Sequence, residues 1–538
     1  MSNSTVSRRS FLTLGGLAAL GAGAALAGCV PQAPSAAKLA DTGEGDTAAA
    51  SAMQTADETK ECDIAIVGAG GAGMWAAVEA VRAGKSVIVI EKGVDVGVSN
   101  GSIAGGPFMV GSKLQQNAGI TFTVEEAFNH IMEYSHWSTN AAAVKRAVEL
   151  SGSTVDQFTD EFGVATGLRP DNYGAGHDSV RCNFQSDPKD SKTQAKGVDR
   201  MGPLQQFIEA NGGEFVFNTA GKRLIMEDGT CVGIQCEGDG VTDVKAKAVI
   251  VATGGFADDD RRMTKWGFDL TTLERIGTPG HFGDGINMTI AAGAEEFNGV
   301  CYLKYNRISH QVEKFGAYWG AFAFGGPMLW VNQDCERFVD EGYVFRVGNA
   351  ITQSAAVHGQ NGVAYSIFDQ AIYEKQLADN ADAAAEWKVD LAEQMEAIIA
   401  AGDDIWRADT LAEAAEAAGL DAAALQAAVD EYNAKCAAGK DDLYGKDAQY
   451  LIAIQQGPFY IAKIHEAIEG PLGGVKTNRK FQPVLTDGGV LDNVWVIGLD
   501  GIMLYRDVYP IDVPGSASAE CINGGRSAAN QAHELVQA

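Results

Sequence analysis

The chain has 538 residues, 46% hydrophobic and 21% charged, with a formal net charge of −29. That length accommodates more than one folding unit, and the composition is that of a globular protein. An acid excess of this size excludes a surface built to grip nucleic-acid phosphates, which takes clustered Lys and Arg.

Nine cysteines are scattered without a C-x-x-C, the closest pair being Cys231 and Cys236. Their spacing encodes no attached c-type haem, no iron–sulfur cluster and no zinc site, so no metal and no built-in one-electron relay is expected.

The N-terminus reads as an address. Arg8 and Arg9 precede a weakly apolar run from Phe11 to Ala27, short of the ~20 residues of a membrane-spanning helix. Paired arginines before Phe-Leu resemble a twin-arginine export signal, and Leu26-Ala27-Gly28-Cys29 resembles a lipoprotein cleavage site. Residues 1–29 are thus expected to export the protein to an extracytoplasmic position on a lipid anchor in the cell membrane. Residues 30–60 carry Ala, Ser, Thr, Pro, Gly and charge without apolar period, and read as a flexible linker. The fold is expected to begin near Glu61.

The first folded motif follows at once. Asp63–Val67 is a buried strand, Gly68, Gly70 and Gly73 form a turn, Met74–Ala83 is a helix, and Ser86–Ile90 is a second strand ending at Glu91. Glycines let backbone approach a pyrophosphate, the helix N-terminus supplies amides, and a carboxylate about 20 residues on accepts from ribose hydroxyls. NAD and FAD both fit this unit.

Further along, Phe215 to Cys236 alternates like a hairpin, Lys247-AVIVATGGFA-Asp258 is another buried strand running into a glycine turn, GDGINMTIAAGA spans Gly283 to Ala294, and NVWVIGLDG closes a strand on Asp500. Together these motifs, from about Cys62 to the C-terminus, resemble the flavoprotein subunit of fumarate reductase and succinate dehydrogenase with its soluble relatives, among them urocanate reductase and the ketosteroid dehydrogenases. The resemblance implies an α/β fold: a Rossmann-like FAD-binding domain in two parts, 61–298 and 466–538, with an α+β capping (clamp) domain inserted at 299–465. It also implies FAD as the dinucleotide.

Carried over position by position, the resemblance assigns Gly68, Gly70, Ala72 and Gly73 to the pyrophosphate and Glu91 with Lys92 to the adenosine ribose. It places the SNGSIAGG loop, with Ser99, Asn100, Gly105 and Gly106, under the isoalloxazine. Ala220 matches an adenine-side contact, Gly254 belongs to the second glycine turn, Asp284 is the acid of the GDG turn, and Asp500 stands where the family has Glu near the ribityl chain. Ala517 and Ser518 start the last helix, whose N-terminus would face the flavin pyrimidine. Membrane-bound members carry a flavin-linked histidine where this chain has Ser99, so the FAD is expected to be non-covalent.

The capping segment contains FGAYWGAFAFGGPMLW, Phe315 to Trp330, which reads either as core or as the wall of a pocket for a flat substrate. Its later part, TLAEAAEAAGLDAAALQAAVDEYNAKCAAGKD, is an amphipathic helical stretch ending toward GPFY, Gly457 to Tyr460.

A reductase of this kind needs an acid beside the flavin. The family uses an arginine after an R-F-x-x-E segment; ERFVDEGYVFR supplies Arg346, one residue further from the acid than usual, with Asp340 or Glu341 to restore its proton. The family's dicarboxylate clamp is largely missing. Tyr302 and Tyr305 stand near one histidine position, Glu469 or Gly470 occupies the other with His465 too early, and Asp512 lies near the second arginine's place with Arg506 a few residues back. Fumarate is therefore not the expected substrate. YPIDVPGS, Tyr509 to Ser516, resembles the Y-P-G segment of ketosteroid dehydrogenases, which makes Tyr509 the second candidate acid.

The sequence thus predicts an exported FAD-dependent oxidoreductase that reduces an activated C=C bond of an enoate or enone, with electrons from a separate donor protein or quinol-linked carrier. Two alternatives stand: the same site run backwards as a dehydrogenase of a ketosteroid-like ring, or a non-catalytic flavin-binding surface lipoprotein.

Overall fold

The computed structural model describes residues 53–104, 106–168, 182–184, 198–275, 277–297, 301–308, 328–343, 355–379, 381, 390–501, 505, 509 and 513–537. The expected signal (1–29) and most of the linker lie outside these residues. The first strand, β1 (Glu58–Val67), begins three residues before the expected start of the fold.

In chain order, the elements that position the site are α1 (Gly71–Arg82), β2 (Val87–Ile90), α2 (Ala141–Asp160), β3 (Glu214–Val216), β4 (Ala220–Glu227), β5 (Thr230–Glu237), β6 (Val241–Val251), α3 (Asp284–Ala291), β7 (Cys301–Ile308), β8 (Leu329–Val331), β9 (Val363–Asp369), β10 (Ile405–Ala408), α4 (Leu411–Ala418), α5 (Ala422–Ala438), β11 (Phe459–Leu472), β12 (Val494–Val496) and α6 (Ser516–Gln537).

The main sheet has the order β3-β2-β1-β6-β5-β4. Strands β1, β2, β3 and β6 are parallel, whereas β4 to β6 form an antiparallel meander. β5 covers only the first half of β6, from Val241 to Lys245, and β12 pairs in parallel with Val249–Val251.

The central strands are apolar on both faces because each face is covered. Ile64, Ile66, Val87, Val89, Ala248 and Ile250 point into a core shared with α1, α2 and α6. Ala65, Val67, Ile88, Ile90, Val249 and Val251 point into a second core on the other side. This is the period of two expected of a strand, doubled by burial on both sides. α6 is tied to α1 by Arg526, whose Nε donates to Glu79 Oε1 at 2.7 Å.

The expected hairpin is β4–β5; Phe215 belongs instead to β3, which pairs in parallel with Ile88–Ile90.

A second, largely antiparallel sheet orders β7-β11-β9-β8, with β10 on β11, around its own core. β11 runs without a break across the expected boundary at 465/466 and reaches Leu472. The long alanine-rich stretch is two helices. α4 opens with a capping box at Thr410 and Glu413 and ends at Gly419 in the left-handed region, and Asp421 then caps α5. No helix among the described residues is long and apolar enough to cross a membrane.

Candidate active site

The C-terminal end of β1 feeds directly into α1 through the glycine turn. Gly68 has φ of +104°, and a Cβ there would overlap the Ala252 carbonyl at the end of β6; a Cβ on Gly73 would overlap the Gly68 carbonyl. These two glycines close the turn against the sheet. Gly70 faces outward, with only the Ser99 Cβ near the place its own Cβ would take, at 3.8 Å. The first turn of α1 has neither a side-chain cap nor an acidic residue, so its amides are left for an anion.

The loop after β2 builds around Glu91. Its carboxylate accepts from Ala69 N and Gly93 N, both at 2.7 Å, and so ties the glycine turn to the end of β2. Asn218 N donates to Gly93 O and Thr219 N to Glu91 O, which brings Ala220 to the same corner. Lys92 Nζ reaches Asp284 Oδ2 at 2.6 Å, so two residues 192 positions apart in sequence form one ion pair.

Ser99 lies over the turn with its Oγ buried and without a hydrogen-bond partner. Asn100 Oδ1 accepts from Thr278 N at 2.7 Å and from Thr278 Oγ1 at 2.9 Å. Gly106 passes between the Cys182 carbonyl, which a Cβ on Gly106 would overlap, and Gly515 at the start of α6. Gly105 lies outside the described residues.

Asp500, the residue expected near the ribityl chain, lies beneath the second glycine turn. It has no exposed surface, and its oxygens accept from the amides of Thr253 and Gly255 and from the Thr253 hydroxyl. It braces the second glycine turn, which includes Gly254, from beneath. Burial pushes its carboxyl up, and those amide bonds partly offset the shift.

At the start of α6, the Ala517 amide expected to face the flavin donates to Tyr509 Oη at 3.2 Å; Ser518 follows in the same turn. Tyr509 is buried and stacks on Tyr505, with ring centres 5.2 Å apart. In the next turn, Glu520 is fully buried, and burial raises its carboxyl well above the ordinary 4.5, with the Cys521 thiol partly offsetting the shift. Burial also raises the adjoining Cys521 thiol, with Glu520 and Asp500 adding to the shift.

Arg346 lies outside the described residues, as do Arg506, Asp512 and most of Phe315–Trp330. Glu341 is buried and held by Arg337 at 2.8 Å, by Lys446 at 3.3 Å and by the Trp330 amide at 3.1 Å. Arg337 also pairs with Asp441 at 3.0 Å. Glu341 therefore sits in a buried charge cluster with Arg337 and Lys446. Asp340 accepts from Gly342 N.

The two segments compared with the dicarboxylate clamp are neighbours in space. Tyr302 is in register with Pro471, Leu303 with Gly470 and Tyr305 with Ala467. His465 has no exposed surface, and its Nε2 lies 2.7 Å from Asp404 Oδ1, a partner inside the capping sheet.

Sequence reasoning missed Thr253, His281 and Glu520. His281 sits two residues before Gly283, just outside the GDG motif, and its placement beside Pro279-Gly280 in a loop between two glycine turns was the available signal.

The residues present fit a dinucleotide: an uncapped helix start, a glycine cradle that added Cβ atoms would fill, and the orphaned Ser99 hydroxyl all converge on one turn. The family model described as FAD binding domain matches residues 63–510. The chain belongs to that family. FAD is its cofactor, and the protein is an FAD-dependent oxidoreductase.

Among its relatives, the vinyl phenol reductase of Lactiplantibacillus plantarum is 28% identical over 494 residues, covering 88% of this chain and 97% of the relative. The urocanate reductase of Eggerthella lenta is 26% identical, covering 82% of this chain and 70% of the relative. In fold, the chain is similar to the open conformation of a flavocytochrome c3 fumarate reductase, with a TM-score of 0.64, 22% identity, and 90% of this chain and 80% of that one covered.

Proposed function

We propose that this oxidoreductase reduces a C=C bond conjugated to an aryl or carbonyl group. Bound FAD supplies the hydride. Gly68, Gly70, Ala72 and Gly73 hold its pyrophosphate, Glu91, Lys92, Ala220 and Asp284 form the adenosine corner, and the 99–106 loop with Gly254 carries the flavin end, without a covalent link at Ser99.

The observation that carries the reading is the Tyr509 hydroxyl. It stands at the start of α6, where it accepts the Ala517 amide at 3.2 Å. The amide and the positive end of the helix both favour the phenolate that donation would leave. Tyr509 thus polarises or protonates the conjugated substrate, and Arg346 is the second candidate acid. The named relatives support the reaction class, since two act on unsaturated substrates by name. The loss of the clamp histidines argues against a small dicarboxylate.

The electron donor is a separate protein or quinol-linked carrier. Residues 1–29 direct export by the twin-arginine route to a lipid anchor at Cys29, residues 30–60 tether the fold, and residues 299–465 with the rest of β11 form the capping lobe.

The test is a reduced-viologen screen of cinnamates, vinyl phenols, urocanate and enones with wild type and Tyr509→Phe. The proposal predicts dye oxidation by at least one conjugated alkene, and a large loss of kcat in the variant with its yellow colour kept. Full activity in Tyr509→Phe removes Tyr509 from the chemistry. Dye reduction by a saturated ring ketone, with no alkene turned over, favours the dehydrogenase.

A further inference from the structure

The short connection from Thr278 to Asp284 touches two of the segments assigned to FAD. At one end Asp284 holds Lys92. At the other, Thr278 and His281 hold Asn100, the second residue of the flavin loop. The connection is itself fixed, because Asp258 Oδ2 accepts from Gly280 N at 2.7 Å and His281 N at 2.9 Å, and Asp258 N donates back to His281 O.

The hydrogen bonds around Asn100 constrain the imidazole tautomer. Thr278 N can only donate, so the Asn100 atom 2.7 Å from it is the oxygen, and the other side-chain atom is the NH2. That NH2 lies 3.2 Å from His281 Nε2, which can accept from it; Thr278 Oγ1 lies 3.1 Å from the same nitrogen and gives its own proton to Asn100 Oδ1. Acceptance from the amide leaves the ring proton on Nδ1, which is buried on Gly254 beside the Thr253 backbone. Burial, reinforced by Lys92, holds the ring below its ordinary pKa and so in the neutral form that can accept.

We infer that His281 is a positioning residue for the cofactor: as an Nδ1–H tautomer it fixes Asn100, and with it the flavin loop, against the second glycine turn. His281 acts through Asn100 and touches neither substrate nor the reacting atoms. The inference rests on the assignment of the 99–106 loop to FAD.

The experiment compares His281→Leu, His281→Gln, Asn100→Ala and the double variant His281→Leu/Asn100→Ala. FAD dissociation constants and the visible flavin spectrum are the readouts, alongside nitrogen-15 NMR of histidine-labelled wild-type holoenzyme. His281→Leu leaves a buried amide without its acceptor, so FAD affinity falls about tenfold. His281→Gln, whose side-chain oxygen can accept the same bond, recovers most of the affinity. The double variant is no weaker than Asn100→Ala alone, and the wild-type ring shows a neutral Nδ1–H signal.

An Nε2–H tautomer or a protonated ring overturns the inference whatever the variants do, as do additive effects in the double variant. Failure of the underlying loop assignment is distinguishable, because Asn100→Ala then binds FAD as wild type does. Failure of the His281 role alone leaves Asn100→Ala impaired and His281→Leu normal.

Discussion

Two sets of buried ionisable side chains in this protein are built on opposite terms. Beside the second sheet, Arg337, Glu341, Asp441 and Lys446 neutralise one another, and Tyr432 gives Lys446 a further partner at 2.8 Å. Arg337 outweighs the effect of burial on Asp441 and holds that carboxyl down to about 2. At the start of α6, Glu520 is as deeply buried, with the Cys521 thiol beside it and no cation paired with it among the described residues. A closed network fixes a fold, whereas burial without a cation holds a carboxyl toward its neutral form.

The largest effect is expected from breaking the closed network. Glu341→Ala leaves Lys446 without its carboxylate and Arg337 with Asp441 alone and is expected to cost about 3–5 kcal/mol, read as a fall in the denaturation midpoint. A variant as stable as wild type would mean that the cluster is not one unit.

Next comes the glycine turn. Gly73→Ala places a methyl group on the Gly68 carbonyl, and FAD affinity is expected to fall about tenfold or more while far-UV dichroism is retained. Unchanged FAD titration would separate this turn from the cofactor.

Glu520→Gln sharpens the contrast through pH. The folded carboxyl titrates above its ordinary 4.5, so its stabilising contribution is complete below that value and is lost as pH rises toward the folded pKa. Glu520→Gln is therefore expected to unfold with a weaker pH dependence than wild type above 4.5, and to be the more stable protein in alkali. Parallel pH profiles would show that Glu520 is ionised or solvated. The smallest effect is expected from Thr410→Ala, which removes the capping box of α4 and is worth about 1 kcal/mol in thermal unfolding.

The parts of the molecule legible in the sequence are those fixed by local chemistry. Apolar runs such as Ile64–Val67 and the glycines at 68 and 73 declare a strand–turn–helix because few other arrangements bury or turn them. The pairing of Lys92 with Asp284 and the adjacency of Leu303 and Gly470 depend on contacts across long stretches of chain, and no spacing announces them. The partners of Glu341 were hidden for a related reason: they are Arg337 close by and Lys446 from a distant segment. His281 was hidden because a histidine in a glycine-rich loop acquires meaning only when Asn100 is placed against it.

The most direct test of the account is a single turnover. Holoenzyme reduced without oxygen is mixed with a conjugated alkene, and flavin absorbance and product are followed together. The account predicts that the yellow oxidised spectrum returns as the saturated product forms, and that acid precipitation then releases the flavin into solution. Reduced flavin that survives every conjugated alkene, or oxidised flavin bleached instead by the saturated compound, would contradict it.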